Sequence, residues 1–139
     1  MPRGPVWDVA CTRVTDVLNV PAVGGFEDGW VMYFYDGAEC LRSLDENPKA
    51  AKRPRGYSCE EIGGLAAGRR EDGPGGMERV TINQPSFISP HGTGCSRYVS
   101  TLVTEDGILA TWQQSQDDLS QPLVGNFVTM DEVARILGS

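Results

Sequence analysis

The stretch 97-RYVSTLVTEDGILATWQQ-114 constrains the fold of this chain more than any other. Two runs rich in β-branched and apolar residues flank Asp106-Gly107, a dipeptide suited to two-residue hairpin turns because its residues accept positive φ. The spacing predicts strands over 97–105 and 108–114. With a two-residue turn, Val99, Thr101 and Val103 share a mostly apolar face with Ile108, Ala110 and Trp112. The opposite face carries Tyr98, Ser100, Leu102, Thr104, Leu109, Thr111 and Gln113, a more polar set that suits solvent or a ligand.

A second hairpin is expected over about 30–44. The segment 28-DGWVMYFYDG-37 places six apolar or aromatic residues between Asp-Gly dipeptides, and Asp36-Gly37 suits a type I′ turn that returns the chain along 38–44. On that register Trp30, Met32, Phe34 and Leu41 share one face, and Val31, Tyr33, Tyr35 and Cys40 the other. The tyrosine face suits a pocket or an interface, since a phenol joins an apolar body to a polar tip, or else a covering helix or loop. Further strand character lies at 79–83 and 86–89.

Helical signals are fewer. In 5-PVWDVACTRVTDVLN-19, Trp7, Ala10, Cys11, Val14, Val17 and Leu18 recur at helical spacing, although the β-branched content also allows a strand. Ser58-x-x-Glu61 forms a capping box that would open a short helix, weakened by Gly63 and Gly64. At the C-terminus, Thr129-x-x-Glu132 is a second capping box. Val128 and Val133 are placed as a hydrophobic staple, Val133, Ile136 and Leu137 form the inward stripe, and Gly138 stands at the stop. The loops fall at 45–57, 68–79 and 115–122. These elements predict an α+β fold over 1–139 as one domain, with a mainly antiparallel sheet and short helices. A small barrel with a peripheral helix is the alternative.

Charge narrows the functional classes. The formal charge of −7 and the isoelectric point near 4.6 oppose general binding to nucleic-acid phosphates and favour a basic partner. No apolar run reaches the roughly 18–20 residues of a membrane span, and the N-terminus lacks the apolar core of a secretory signal, so a cytoplasmic location is expected. The four cysteines at 11, 40, 59 and 95 show no CxxC pair and are expected to be reduced. Residues 49–70 carry a local charge of +4, from Lys49, Lys52, Arg53, Arg55, Arg69 and Arg70 against Glu60 and Glu61. They read either as an anion-receiving loop or as a solvated one.

The only histidine lies in 90-PHGTGCSRY-98. A thiol becomes nucleophilic when a base, a cation or converging amides lower its pKa, so Cys95 with His91, Arg97 and the glycines at 92 and 94 is a candidate catalytic set. The bland alternative is a connection leading into a strand. His91-x3-Cys95 resembles half of a zinc site, yet without a CxxC no metal is expected, and without phosphate-loop or dinucleotide signatures no cofactor is. The acidic pairs Glu27/Asp28, Glu71/Asp72, Glu105/Asp106 and Asp117/Asp118 all fall at expected turns, where carboxylates are common for structural reasons.

Two functional readings follow. One is a small acidic binding module, of inhibitor or immunity type, that occludes a basic protein surface. The other is a small enzyme acting on an apolar molecule in a cavity shaped by Trp30, Tyr33, Tyr35, Tyr98 and Trp112, with Cys95 or His91 at its mouth. A convergent apolar cavity distinguishes the second from the first.

Overall fold

The structure, a computed structural model, describes residues 7–8, 11–38 and 61–139. Among these residues seven strands and one α-helix follow in order: β1 Cys11–Asn19, β2 Trp30–Ala38, β3 Glu61–Arg69, β4 Glu78–Arg79, β5 Ser96–Val103, β6 Gly107–Gln114, β7 Leu123–Thr129 and α1 Met130–Leu137. A 3₁₀ segment, Arg70–Gly76, joins β3 to β4. All pairings are antiparallel, in a four-stranded sheet β1-β2-β3-β4 and a three-stranded sheet β5-β6-β7. The α+β reading therefore holds, whereas no closed barrel is found among the described residues, whose strands form two separate sheets. No helix among the described residues is long and apolar enough to cross a membrane.

Three local expectations are corrected. Residues 11–19 form a strand, because β-branched Thr12, Val14, Thr15 and Val17 suit a pleat and β2 supplies a partner from Cys11↔Ala38 to Asn19↔Val31. A register shift between Val14 and Asp16 interrupts the alternation, which is why the apolar spacing imitates a helix. Asp36-Gly37 is not a turn, since β2 runs through both residues to Ala38, pairing with β1 on one side and β3 on the other. The expected return strand at 39–44 lies outside the described residues, as does the capping serine at 58. Residues 61–65, expected in that short helix, belong to β3, where Gly63 and Gly64 make room for aromatic rings.

One face of the larger sheet buries Val31, Tyr33, Tyr35, Ile62 and Ala66, with Trp7 packed over them and Met77 at the margin. Trp7 and Tyr35 stack with ring centroids 5.7 Å apart. The Tyr35 hydroxyl donates to the buried Asp8 carboxylate, 3.1 Å away, and lies 3.2 Å from the Thr81 hydroxyl. Arg79 pairs with the same carboxylate at 2.9 Å, so a buried acid is matched by a cation within the core. Farther along, only Arg79 of the strand expected at 79–83 belongs to β4, and of that expected at 86–89 only Phe87 makes a bridge, to Gly63.

The smaller sheet follows the predicted hairpin with a shifted turn. Val103 pairs with Ile108 and Leu102 with Leu109, so the turn is centred on Glu105 and Asp106 and closed by the Thr104 amide donating to the Gly107 carbonyl. The slip relative to an Asp106-Gly107 turn is an even number of residues, so the inward and outward faces survive it. Strand β7 escapes the sequence reading altogether. Its Asn126 and Gly125 depress strand propensity, and pairing with β6 overrides them. Helix α1 has the expected cap, with Thr129 Oγ1 accepting from the Glu132 amide, and it buries Val133, whereas Ile136 points outward.

Candidate functional site

The two sheets meet along β5, and their junction is built from charge. The β2 face opposite the tyrosines carries Phe34 and Asp36, and the register sets Arg13 and Asp16 of β1 beside them and Glu61 at the start of β3. Asp16 accepts from both the amide and the hydroxyl of Thr101. Asp36 accepts from the Tyr98 amide at 3.1 Å and from Arg13 at 2.8 Å, while Glu61 binds Arg13 and Arg97, each at 2.7 Å. Carboxylates thus take the place of a neighbouring strand for these β5 amides.

Tyr98 is the strained member. It sits in the bulge between Arg97 and Ser100 with φ of 57°, a conformation unfavourable for a side chain of this size. Two guanidinium groups lie against its ring, Arg13 at 4.6 Å and Arg97 at 4.8 Å. Asp36 and Glu61 are matched by the two arginines, and these contacts clamp the sheets together.

Burial pushes the Asp36 carboxyl above its ordinary pKa of 3.8, against the opposing pull of Arg13 and the Tyr98 amide. The folded state then holds this proton more tightly than the unfolded state does. The stability the group contributes is complete below 3.8 and declines as pH rises through the folded value. Asp36→Asn removes the titration. The stability advantage of the parent over this variant should therefore shrink as pH is raised from 3 to about 7 in urea denaturation series. An advantage that grows with pH would contradict the assignment.

The 90–98 loop does not present an open thiol. Cys95 is 1% exposed, and its amide donates to Thr93 Oγ1. Burial pulls the Arg97 pKa down, but the Glu61 hydrogen bond and the nearby Cys95 raise it above its ordinary value. His91 turns to Asp117, with Nδ1 3.2 Å from the carboxylate, and its amide donates to Ser89 Oγ. The Thr93 amide is taken by Ser115 Oγ and that of Gly94 by the His91 carbonyl. The amides of residues 91, 93, 94 and 95 are thus each taken by a protein acceptor, and the glycine at 92 permits close approach to Ser115 and Gln116.

The predicted aromatic set disperses. Tyr33 and Tyr35 lie in the core, Trp30 packs under Arg69, Tyr98 sits in the clamp, and Trp112 alone lines a cavity. That cavity, about 310 Å³, lies between the sheets. Phe34 of β2, with Phe87 and Ile88, forms one wall. Ser96 and Val99 of β5, with Ala110, Trp112 and Gln114 of β6, form the other. In the basic segment, Arg69 pairs with Glu27 and Arg70 with Asp28, while 49–60 lies outside the described residues. Among the described residues no three histidine, cysteine or acidic side chains gather as a metal would require.

The outer face of the smaller sheet offers a different kind of surface. Leu102, Leu109 and Phe127 pair directly across β5, β6 and β7, yet they are 58%, 38% and 48% exposed. Leu123 extends the patch along β7. Sequence reading placed Leu102 and Leu109 on this outward face but lacked β7, and with it Phe127. Comparison with protein-family models, curated proteins and solved structures finds no match to this chain.

Proposed function

We propose that this chain is an acidic protein-binding module that uses the outer face of the β5-β6-β7 sheet to occlude a basic partner. The observation that carries the reading is the exposed cross-strand row Leu102, Leu109 and Phe127. Its members already pair with one another within one sheet, and a flat apolar row of this kind gains by being covered. Its ends are acidic. Glu105 and Asp106 occupy the β5–β6 turn, Asp131 and Glu132 begin α1, and Asp117 and Asp118 lie in the β6–β7 connection, all exposed. From residue 96 to 139 there are six carboxylates and two arginines, and Arg135 is already paired with Glu132. An apolar centre with a negative rim fits a partner with an apolar protrusion ringed by lysine or arginine, and like charges disfavour a second copy of this chain.

The test is selection from a displayed library of small folded domains spanning acidic to basic charge, followed by titration against Leu109→Asp. Bound domains should be basic, should weaken as salt rises, and should lose at least ~10-fold in affinity to the variant. Acidic or neutral winners, or equal binding to the variant, would overturn the proposal. So would dimerisation of the chain through this face at micromolar concentration in sedimentation.

A further inference from the structure

The cavity between the sheets is separate from the outer face, and its chemistry points to a small-molecule ligand. We infer that it binds a neutral, planar aromatic molecule carrying one hydrogen-bond acceptor. At about 310 Å³ it sits at the small end of ligand pockets, which run from roughly 300 Å³ upwards, and so suits one fused ring pair better than a chain or a sugar. Three rings, Phe34, Phe87 and Trp112, contribute to its walls, and flat ligands gain most from such contacts.

No charged side chain lines it among the described residues, so an ion would lose its hydration without compensation. Its polar groups are Ser96 and Gln114. The Trp112 indole donates to Gln114 Oε1 at 3.1 Å, which leaves the Gln114 amide NH₂ as the group able to donate to a guest. Ser96 is only 2% exposed and belongs to the same wall. A buried hydroxyl and an amide donor on the wall of an apolar cavity are what a ligand carbonyl would satisfy.

The geometry of Phe87 adds to this. Its ring rests on Gly63, where a Cβ would overlap it, so one cavity wall is set by the absence of a side chain on β3. The wall is therefore part of the packed fold and requires no rearrangement to receive a guest.

Coumarin, naphthalene and 2-naphthoate serve as probes, since they share a fused-ring shape but differ in acceptor and charge. In ¹H–¹⁵N titrations of the full chain, coumarin should bind one to one and shift the Trp112 indole and Gln114 side-chain signals. It should bind about 10-fold more tightly than naphthalene, and 2-naphthoate should be weaker still. Ala110→Phe, which fills the cavity, should abolish the shifts. Gln114→Leu should remove the preference of coumarin over naphthalene and retain binding of both, and this variant decides the matter if Ala110→Phe fails to fold. Absence of coumarin shifts at millimolar concentration, shifts that avoid Trp112 and Gln114, or a preference for 2-naphthoate would each overturn the inference.

Discussion

Gly64→Val should destabilise the protein by about 3 kcal/mol, near the upper end of the usual cost of overpacking a core. Gly64 pairs with Tyr35 across β2 and β3, and a Cβ there would overlap the phenol ring. Overpacking is cheap only when the neighbour can move, and this ring cannot. It is 1% exposed, stacks on Trp7, and is tied through its hydroxyl to Asp8 and Thr81. Gly75 supplies the control. A Cβ at that position meets nothing within 4 Å, so Gly75→Ala should be neutral or stabilise by about 0.4–1 kcal/mol through the unfolded chain. Urea denaturation of both variants checks the pair. A loss below about 1 kcal/mol at Gly64 would mean that the tyrosine is not fixed as the contacts indicate.

The same glycines show why part of this fold resists reading from sequence. Within 58-SCEEIGGLAAG-68 the capping pattern and alanines speak for a helix, and local propensity has no means of registering the Tyr35 and Phe87 rings that need the space at Gly64 and Gly63. Strand β1 misleads for a related reason, because its bulge breaks the alternation that identifies a strand. Asp36-Gly37 has the composition of a turn but is buried in mid-sheet, where the carboxylate meets partners 62 residues away in sequence. What was legible was what local chemistry decides. The β5–β6 hairpin, the β2 strand and the cap of α1 each depend on neighbours within a few residues, and the two faces of the hairpin even survive its shifted turn.

The candidate surfaces divide along the same line. The outward placement of Leu102 and Leu109 follows from alternation alone, but their significance depends on Phe127, which reaches them only through β6–β7 pairing. The thiol loop presents the opposite case. His91, Cys95 and Arg97 are close in sequence, yet the fold turns His91 away to Asp117, while Arg97 binds Glu61 and stays near Cys95. Proximity along a glycine-rich segment carries no information about convergence, because such a segment has many ways to turn.

Asp36→Ala should cost about 3 kcal/mol, although burying this carboxylate is itself unfavourable. The two statements are compatible because they compare different states. Burial raises the pKa by penalising the charge, whereas truncation leaves the Tyr98 amide and the Arg13 guanidinium without the acceptor around which both are placed. Arg13 retains Glu61, so the larger part of the loss should come from Tyr98, whose left-handed backbone is worth its strain only while the amide is bound and the ring rests against the arginines. Asp36→Asn keeps an oxygen that can accept from that amide and should cost roughly half as much. Hydrogen exchange gives the local readout: the Tyr98 amide should exchange faster in the alanine variant than in the asparagine variant, and the Tyr33 and Tyr35 amides in mid-sheet should change least. Equal losses in the two variants would assign the stabilisation to the charge rather than to the amide. The answer bears on both surfaces, since this junction positions the smaller sheet, whose outer face carries the apolar row and whose inner face closes the cavity.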